Sequence, residues 1–369
     1  MRIGFDAKRL FHNATGLGNY SRSLVEMLVR FGVGDEWWLF NPKPPRITFE
    51  VTRPQVKEIR PRGGWKYFPS LWRSVGISGE LKRLRPDVYH GLSGELPLGI
   101  SRTRIPSILT VHDVIFMRFP RWYSPVDRRI YEAKLRYALR HARKVVAVSE
   151  QTRRDLLELT DVSPGKVEVI YQTCDAVFKQ PLAPELLKEV RHKYRLPPKF
   201  LLYVGTLEPR KNALTLVKAL RDLPYSAVLV GRMTAYGEKV REFVRQEGME
   251  ERIRFLHGIS RRDLAALYRL AHVSVYPAIY EGFGIPLIES LYSETPVITN
   301  SRGVFPEVAG KGGIYLRDVA SADEMREKIQ FAMQTPKPKM LEGVREELRR
   351  FDEDVLARQW KTLYEKVSR

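Results

Sequence analysis

Between residues 200 and 299 short apolar runs alternate with helix-periodic stretches, and that alternation leaves few folds open. The runs FLLYV (200–204), SAVLVG (226–231), IRFLH (253–257), VSVYP (273–277) and PVIT (296–299) are apolar on both faces or nearly so. Between them, ALTLVKAL, EKVREFVRQEG and RDLAALYRLA read as helices, with Leu264, Leu267 and Leu270 along one side of the last. Strands buried on both faces and joined through helices form a parallel sheet covered on either side. Ser260 and Asp263 are spaced as a capping box, which opens the RDLAALYRLA helix. The first half repeats the theme less regularly. RIGF, DEWWLF, DVYH, SILTV and KVVAV are its strand candidates; its clearest helices follow Gly18 and Ser149. Residues 41–75, rich in Pro and Arg, read as irregular.

A chain of 369 residues exceeds what one hydrophobic core usually holds, so two domains are expected. A polar connection over 176–198, with Pro181, Pro184, Pro197 and Pro198, separates them. Two doubly wound sheets place ligands at the carboxyl ends of their strands. Cys174 is the one cysteine, which rules out an internal disulfide and suits a reducing compartment. No apolar run reaches the ~18 residues of a membrane span, and MRIGFDAKRL does not read as a signal peptide, so the cytoplasm is expected.

The decapeptide YEGFGIPLIE (280–289) follows the strand VSVYP. Pro286 suits the first turn of a helix, which puts Glu281 in the loop and Glu289 about one turn inside. Its glycines admit a ligand close to the backbone, and a helix N-terminus offers N–H groups to an anion. A diphosphate on the backbone, with carboxylates accepting from sugar hydroxyls, fits this pattern. Taken singly, the two acids read as a loop acid and a solvent-facing helix acid. YVGTLEPRKN (203–212) also joins a strand to a helix, with Arg210 and Lys211 as cations for the same diphosphate. ATGLGNY sets Gly16 and Gly18 before a helix, but Ser21 stands at the third glycine of a dinucleotide fingerprint, so a flexible turn also accounts for it. LTVHDVIF leaves His112 at a strand end, where it donates to a sugar hydroxyl or a developing charge, or is a satisfied core histidine. His90 in DVYHGLSG poses the same choice.

Together GLGNY, TVHD, VGTLEPRKN, FLHG, LYRLA, YEGFGIPLIESLYSETPVI and FPEVAG resemble the retaining glycosyltransferases of family 4, most densely over 200–310. Glu281-x7-Glu289 is similar to that family's E-x7-E motif. The resemblance implies the GT-B fold, an α/β architecture of two Rossmann-like domains facing a central cleft. Residues 1–178 form the acceptor-side domain, 179–352 bind the nucleotide sugar, and 353–369 form a crossover helix returning to the first domain. It also implies roles. Lys211 with Arg210 holds the diphosphate, and Glu281 approaches the donor sugar beside the N–H groups of Gly282, Phe283 and Gly284. Glu289 accepts from the ribose, and Ile259 follows the strand whose end flanks the nucleobase. Gly16, with Gly18, brings the N-terminal loop to the phosphate, and His112 lies near the reacting centre. After Gly205, Thr206 stands where many relatives carry arginine, which places more weight on Lys211 and Arg210.

The reaction so implied moves a hexose, by general likeness mannose, from a GDP- or UDP-linked donor to a hydroxyl of a glycan or polyprenyl-diphosphate-linked acceptor. Configuration is retained, and the process is cell-surface polysaccharide assembly. Stabilising the departing diphosphate is the main task. If Lys211 and Arg210 do it, neither metal nor cofactor is needed, and the D-x-D of Asp352 and Asp354 reads as a pair of helix-start acids. With no acid evident on the acceptor side, the acceptor attacks from the face the diphosphate leaves, unlike the covalent route of retaining glycosidases.

The formal charge is +20, and residues 51–150 hold 20 Lys and Arg against 8 Asp and Glu. Cations there interleave with aromatics in RPRGGWKYFPSLWR (60–73) and again over 118–144. Trp65, Lys66, Trp72, Arg73, Arg121 and Trp122 are the expected acceptor and membrane contacts, each cation contributing ~1 kcal/mol at an anionic surface. The protein is therefore expected at the inner face of the plasma membrane. Nucleic acid is not an expected partner, since no module for it is legible. The alternatives are another GT-B enzyme, such as an epimerase or phosphorylase, and a non-catalytic protein binding sugar nucleotides or glycans.

Overall fold

The alternation of strand and helix becomes two parallel sheets in the computed structural model, which describes residues 1–49 and 53–369. One unit comprises Met1–Thr173 with Arg350–Arg369, and the other Cys174–Arg349. Among the described residues the first unit holds β1 (Arg2–Asp6), β2 (Glu36–Phe40), β3 (Val56–Ile59), β4 (Val88–Gly91), β5 (Ser107–Val111), β6 (Lys144–Ala147) and β7 (Val167–Val169). They pair in parallel in the order β3-β2-β1-β4-β5-β6-β7. The second unit holds β8 (Phe200–Val204), β9 (Ser226–Val230), β10 (Ile253–Leu256), β11 (Val273–Tyr276), β12 (Val297–Asn300) and β13 (Gly313–Leu316). Their order is β10-β9-β8-β11-β12-β13. Strand order thus reverses at β1/β4 and at β8/β11, where connections leave to opposite faces and a crevice opens at the carboxyl ends.

The final helix, Glu353–Ser368, belongs to the first unit. It sets Leu356, Trp360, Leu363, Tyr364 and Val367 into one core with Leu24, Val25 and Leu28 of the helix Gly16–Arg30. His90 on β4 joins that core. It is fully buried, bonded to the Tyr364 hydroxyl at 2.7 Å and to Thr110 Oγ1 at 2.8 Å. Burial, with His112 adding to it, pushes its pKa down to about 3. His90 is a satisfied core histidine. Asp354 pairs with Arg358 at 2.9 Å along the final helix.

Three expectations change. The sequence pattern shows no strand at β3, β7 or β13, because each is a short sheet edge without the full burial of β4 or β5. Residues 41–75 are not irregular throughout, since β3 and the helical turns Gly63–Tyr67 and Pro69–Gly76 lie there. The connection at 176–198 contains the helix Pro184–Lys193, with Pro184 at its start and Leu186 and Val190 buried beneath it.

Candidate functional site

β8 runs into a turn at Gly205, whose N–H donates to the Val230 carbonyl at 2.9 Å. Thr206 follows, half-buried, and its carbonyl accepts from the Tyr203 hydroxyl at 3.4 Å. The short turn Pro209–Lys211 then ends at Asn212, which adopts the left-handed φ of 55°. Asn212 Nδ2 donates to the Val319 carbonyl at 2.6 Å and holds that conformation in place. The Ile279 N–H donates to the Arg210 carbonyl at 2.9 Å, stitching this turn to the loop after β11. Asn300, at the end of β12, donates to the carbonyls of Ala278 and Ile279, each at 3.3 Å. Two loops at the β8/β11 reversal are therefore fixed before any ligand arrives.

These loops bring the predicted charges together. Glu281 Oε1 accepts from Arg210 Nη1 at 2.5 Å and pairs with Lys211 Nζ. Lys211 Nζ also meets the Tyr276 hydroxyl and sits 4.8 Å from the centroid of that ring. Arg210 reaches the Tyr280 carbonyl and Glu208, both at 2.8 Å. Burial opposes ionisation of Glu281, but the charges of Lys211 and Arg210 outweigh it and hold its carboxyl below the ordinary range. Burial, with Arg210 adding to it, pushes Lys211 down from its usual value while Glu281 opposes. An anion entering this corner meets two desolvated cations whose acidic partners are hydrogen-bond acceptors for whatever the anion carries.

Gly282, Phe283 and Gly284 are buried, and Gly284, at φ 89°, opens the helix Ile285–Tyr292. Glu289 lies one turn inside and accepts from the Tyr268 hydroxyl at 3.3 Å. Burial pushes the Glu289 carboxyl up to about 7, against the Tyr268 bond and the charge of Arg261. Tyr268 and Arg261 share the helix Arg261–Leu270, which Ser260 caps by accepting the Asp263 N–H at 3.0 Å. Ile259, half-buried, precedes that cap.

In the first unit, His112 follows β5. Its Nε2 is 2.9 Å from the Leu92 carbonyl, an acceptor only, so Nε2 carries the proton. Nδ1 is left as an acceptor, 3.5 Å from Gln172 Nε2. Burial pushes the ring down to about 4; the Leu92 bond opposes this and Arg9 adds to it. His112 is therefore neutral at pH 7, and the donor role read from its sequence position is already committed to Leu92. The helix begins at Gly16 rather than after Gly18, so the flexible loop expected there is its first turn. A Cβ on Gly18 would collide with the Asn13 carbonyl, which accounts for that glycine without a ligand; one on Gly16 would meet nothing within 4 Å.

Residues 14–177 match the family described as Glycosyltransferase Family 4, and residues 188–351 match Glycosyl transferases group 1. The O-antigen chain mannosyltransferase B of Escherichia coli is 28% identical over 337 residues, 85% of this chain and 86% of that protein. This chain belongs to glycosyltransferase family 4. The O-antigen chain mannosyltransferase RfbU of Salmonella typhimurium is 29% identical over 260 residues, 66% of this chain and 70% of the relative. HepE of Anabaena, solved in complex with UDP-glucose, shares the fold with a TM-score of 0.77 at 17% identity, covering 99% of this chain and 100% of its own. The fold of this family-4 glycosyltransferase is GT-B.

Its expected membrane contacts divide. Trp65, Lys66 and Arg121 are exposed, and Trp122 is half-buried, stacked on Phe119 at 4.3 Å. Trp72 is fully buried beside Phe40, and Arg73 is buried in ion pairs with Asp6 and Glu95. Neither serves an outer surface, because the helical turn that carries them points both into the core of the first unit. Sequence reasoning missed Tyr276, Glu208 and Tyr268. A tyrosine ending a buried strand or lying on a buried helix face needs a partner for its hydroxyl, and that was the available signal.

Proposed function

We propose that this glycosyltransferase moves mannose from GDP-mannose onto a hydroxyl of a glycan or polyprenyl-diphosphate-linked acceptor in cell-surface polysaccharide assembly, retaining the anomeric configuration. The carrying observation is the Lys211–Arg210–Glu281 cluster at the β8/β11 reversal, with Glu289 one turn along the adjoining helix. The mannosyltransferase names of its relatives support the sugar and the process. The UDP-glucose complex of HepE supports a nucleotide-sugar donor and makes a UDP-linked sugar the second reading.

In this reading the donor diphosphate takes the contacts Lys211 and Arg210 make with Glu281 and Glu208. Glu281 turns to the sugar hydroxyls, and Glu289 accepts from the ribose. As the bond from the anomeric carbon to the diphosphate oxygen breaks, negative charge grows where the two cations already point. The acceptor oxygen bonds to the anomeric carbon from the same face, its proton passes to the departing diphosphate, and GDP leaves. The cations do the work of a metal ion, so turnover persists in chelator.

The test is incubation with GDP-mannose and an α-mannoside acceptor, reading GDP release and the product's anomeric configuration by NMR. Retained configuration is expected. An inverted linkage, an epimerised sugar nucleotide, or no turnover would overturn the proposal.

We also place this chemistry at the cytoplasmic face of an anionic membrane. Among the described residues no helix is long and apolar enough to cross a membrane. Trp65, Lys66, Tyr67 and Phe68 are all exposed, Tyr67 to 82%, on a chain of formal charge +20. Co-flotation with anionic vesicles at low salt, and not with zwitterionic ones, is the expected result; equal recovery with both contradicts the placement.

A further inference from the structure

Two buried tyrosines reach the corner where Lys211, Arg210 and Glu281 meet. Tyr203, on β8, turns its hydroxyl to backbone, toward the carbonyls of Thr206 at 3.4 Å and Lys211 at 3.5 Å. Those bonds brace a turn. Tyr276, the last residue of β11, turns its hydroxyl to charged side chains instead. The Lys211 ammonium has donors and no acceptor, so in its bond to Tyr276 the phenolic oxygen accepts. The phenolic proton is then left for Glu281, whose ionised carboxyl has only acceptors and is hydrogen-bonded to the same side chain. Glu281 also pairs with Lys211 and Arg210. Lysine to tyrosine, tyrosine to glutamate and lysine to glutamate close a ring of three contacts in which every proton has one place.

Tyr276 is itself held from several sides. It is buried, and its carbonyl accepts from Thr299 Oγ1 on β12 at 2.9 Å. Its ring lies 6.2 Å from that of Phe305, on the helix Phe305–Ala309. Gly284 passes so near that a Cβ there would stand 3.8 Å from Tyr276 Cε1. The Lys211 ammonium, 4.8 Å from the ring centroid, lies within reach of its π face as well as its hydroxyl. A lysine head on a flexible four-carbon stem is thus tied to a rigid strand end. Holding the head before an anion arrives spares the cost of ordering it on binding. The pair with Glu281 cannot do this alone, since in the transfer reading that pair opens when the donor enters.

We infer that Tyr276 is a positioning residue for transfer: its hydroxyl and ring keep the Lys211 ammonium aimed at the diphosphate, and its proton steers Glu281, while the Lys211–Glu281 pair opens for the donor. The identity of the anion rests on the transfer reading above; the contacts of Tyr276 do not. Tyr276→Phe removes the hydroxyl and keeps the ring. It orphans no buried charge, because Lys211 and Glu281 still face each other and Glu281 keeps Arg210. Its melting temperature should therefore match that of the wild type. With GDP-mannose, kcat should fall about tenfold, the scale of one hydrogen bond to a charged group. KM should change little, since the charge that Lys211 meets grows only as the sugar leaves. GDP carries that charge on its terminal phosphate, so in calorimetric titration it should bind the variant about tenfold more weakly. In a Lys211→Ala background the same substitution should alter kcat less than about twofold, because the partner it positions is gone. Unchanged kcat and GDP affinity, or an equal loss in both backgrounds, would overturn the role and leave the transfer reading standing. Weakened GDP binding by Tyr276→Phe, in a protein whose wild type releases no GDP from GDP-mannose, would support the positioning and overturn the transfer reading instead.

Discussion

Lys211 and Glu281, each 13% exposed, satisfy one another, and that pairing sets what their replacement should do. Lys211→Ala removes the cation nearest the growing charge, yet Glu281 keeps Arg210, so the fold should survive. A loss of about 10²–10³ in kcat is expected, the scale of losing one fixed donor to a developing anion. Steady-state kinetics with circular dichroism checks it; unchanged kcat contradicts it. Glu289 makes a pH prediction. Its pKa in the fold is raised by burial to about 7 from 4.5, so its contribution to stability is full below about 4.5 and lost as pH rises through about 7. In the proposed donor pose the ionised acid accepts more strongly from ribose hydroxyls than the neutral one, so affinity for GDP-mannose should rise from pH 6 to pH 8 while stability falls. Glu289→Gln should flatten the affinity change in calorimetric titration; an undiminished rise sinks the assignment. At this scale the GFG turn and its two acids were legible because their spacing is local. Arg73 was not, because its partners lie 67 and 22 residues away in sequence and a cation among aromatics reads alike on a surface or in a core.

The helix Gly16–Arg30 separates two meanings of glycine. Gly18→Ala forces a Cβ into the Asn13 carbonyl and should cost about 1–3 kcal/mol in urea unfolding, the range for overpacking. Gly16→Ala meets open space inside a helix and should be neutral or stabilise by up to ~1 kcal/mol. A large destabilisation from Gly16→Ala would contradict the helix start. Central strands were readable because burial on both faces demands continuous apolar runs, as in β8 and β9. The edges β3, β7 and β13 carry exposed or half-buried positions and so lost that signal. The helix Pro184–Lys193 hid behind its proline, which begins it rather than breaks it.

Over the whole chain, the last residues close the core of the first. Trp360 and Tyr364 pack on His90, and Tyr364 also bonds it. Trp360→Ala should therefore cost about 3–5 kcal/mol, the usual range for a buried tryptophan. Urea unfolding reads the loss, and a cost below ~1 kcal/mol would show that the helix is not part of this core. The two strand-order reversals hold the Lys211–Arg210–Glu281 cluster at β8/β11 and a cavity at β1/β4, and only the first was legible, since its motifs are contiguous. The most direct measurement is a crystal structure with GDP-mannose bound. Diphosphate oxygens should stand ~3 Å from Lys211 Nζ and the Arg210 guanidinium, with Glu281 on the sugar and Glu289 on the ribose. A nucleotide held elsewhere, with Lys211 still paired to Glu281, would contradict the account.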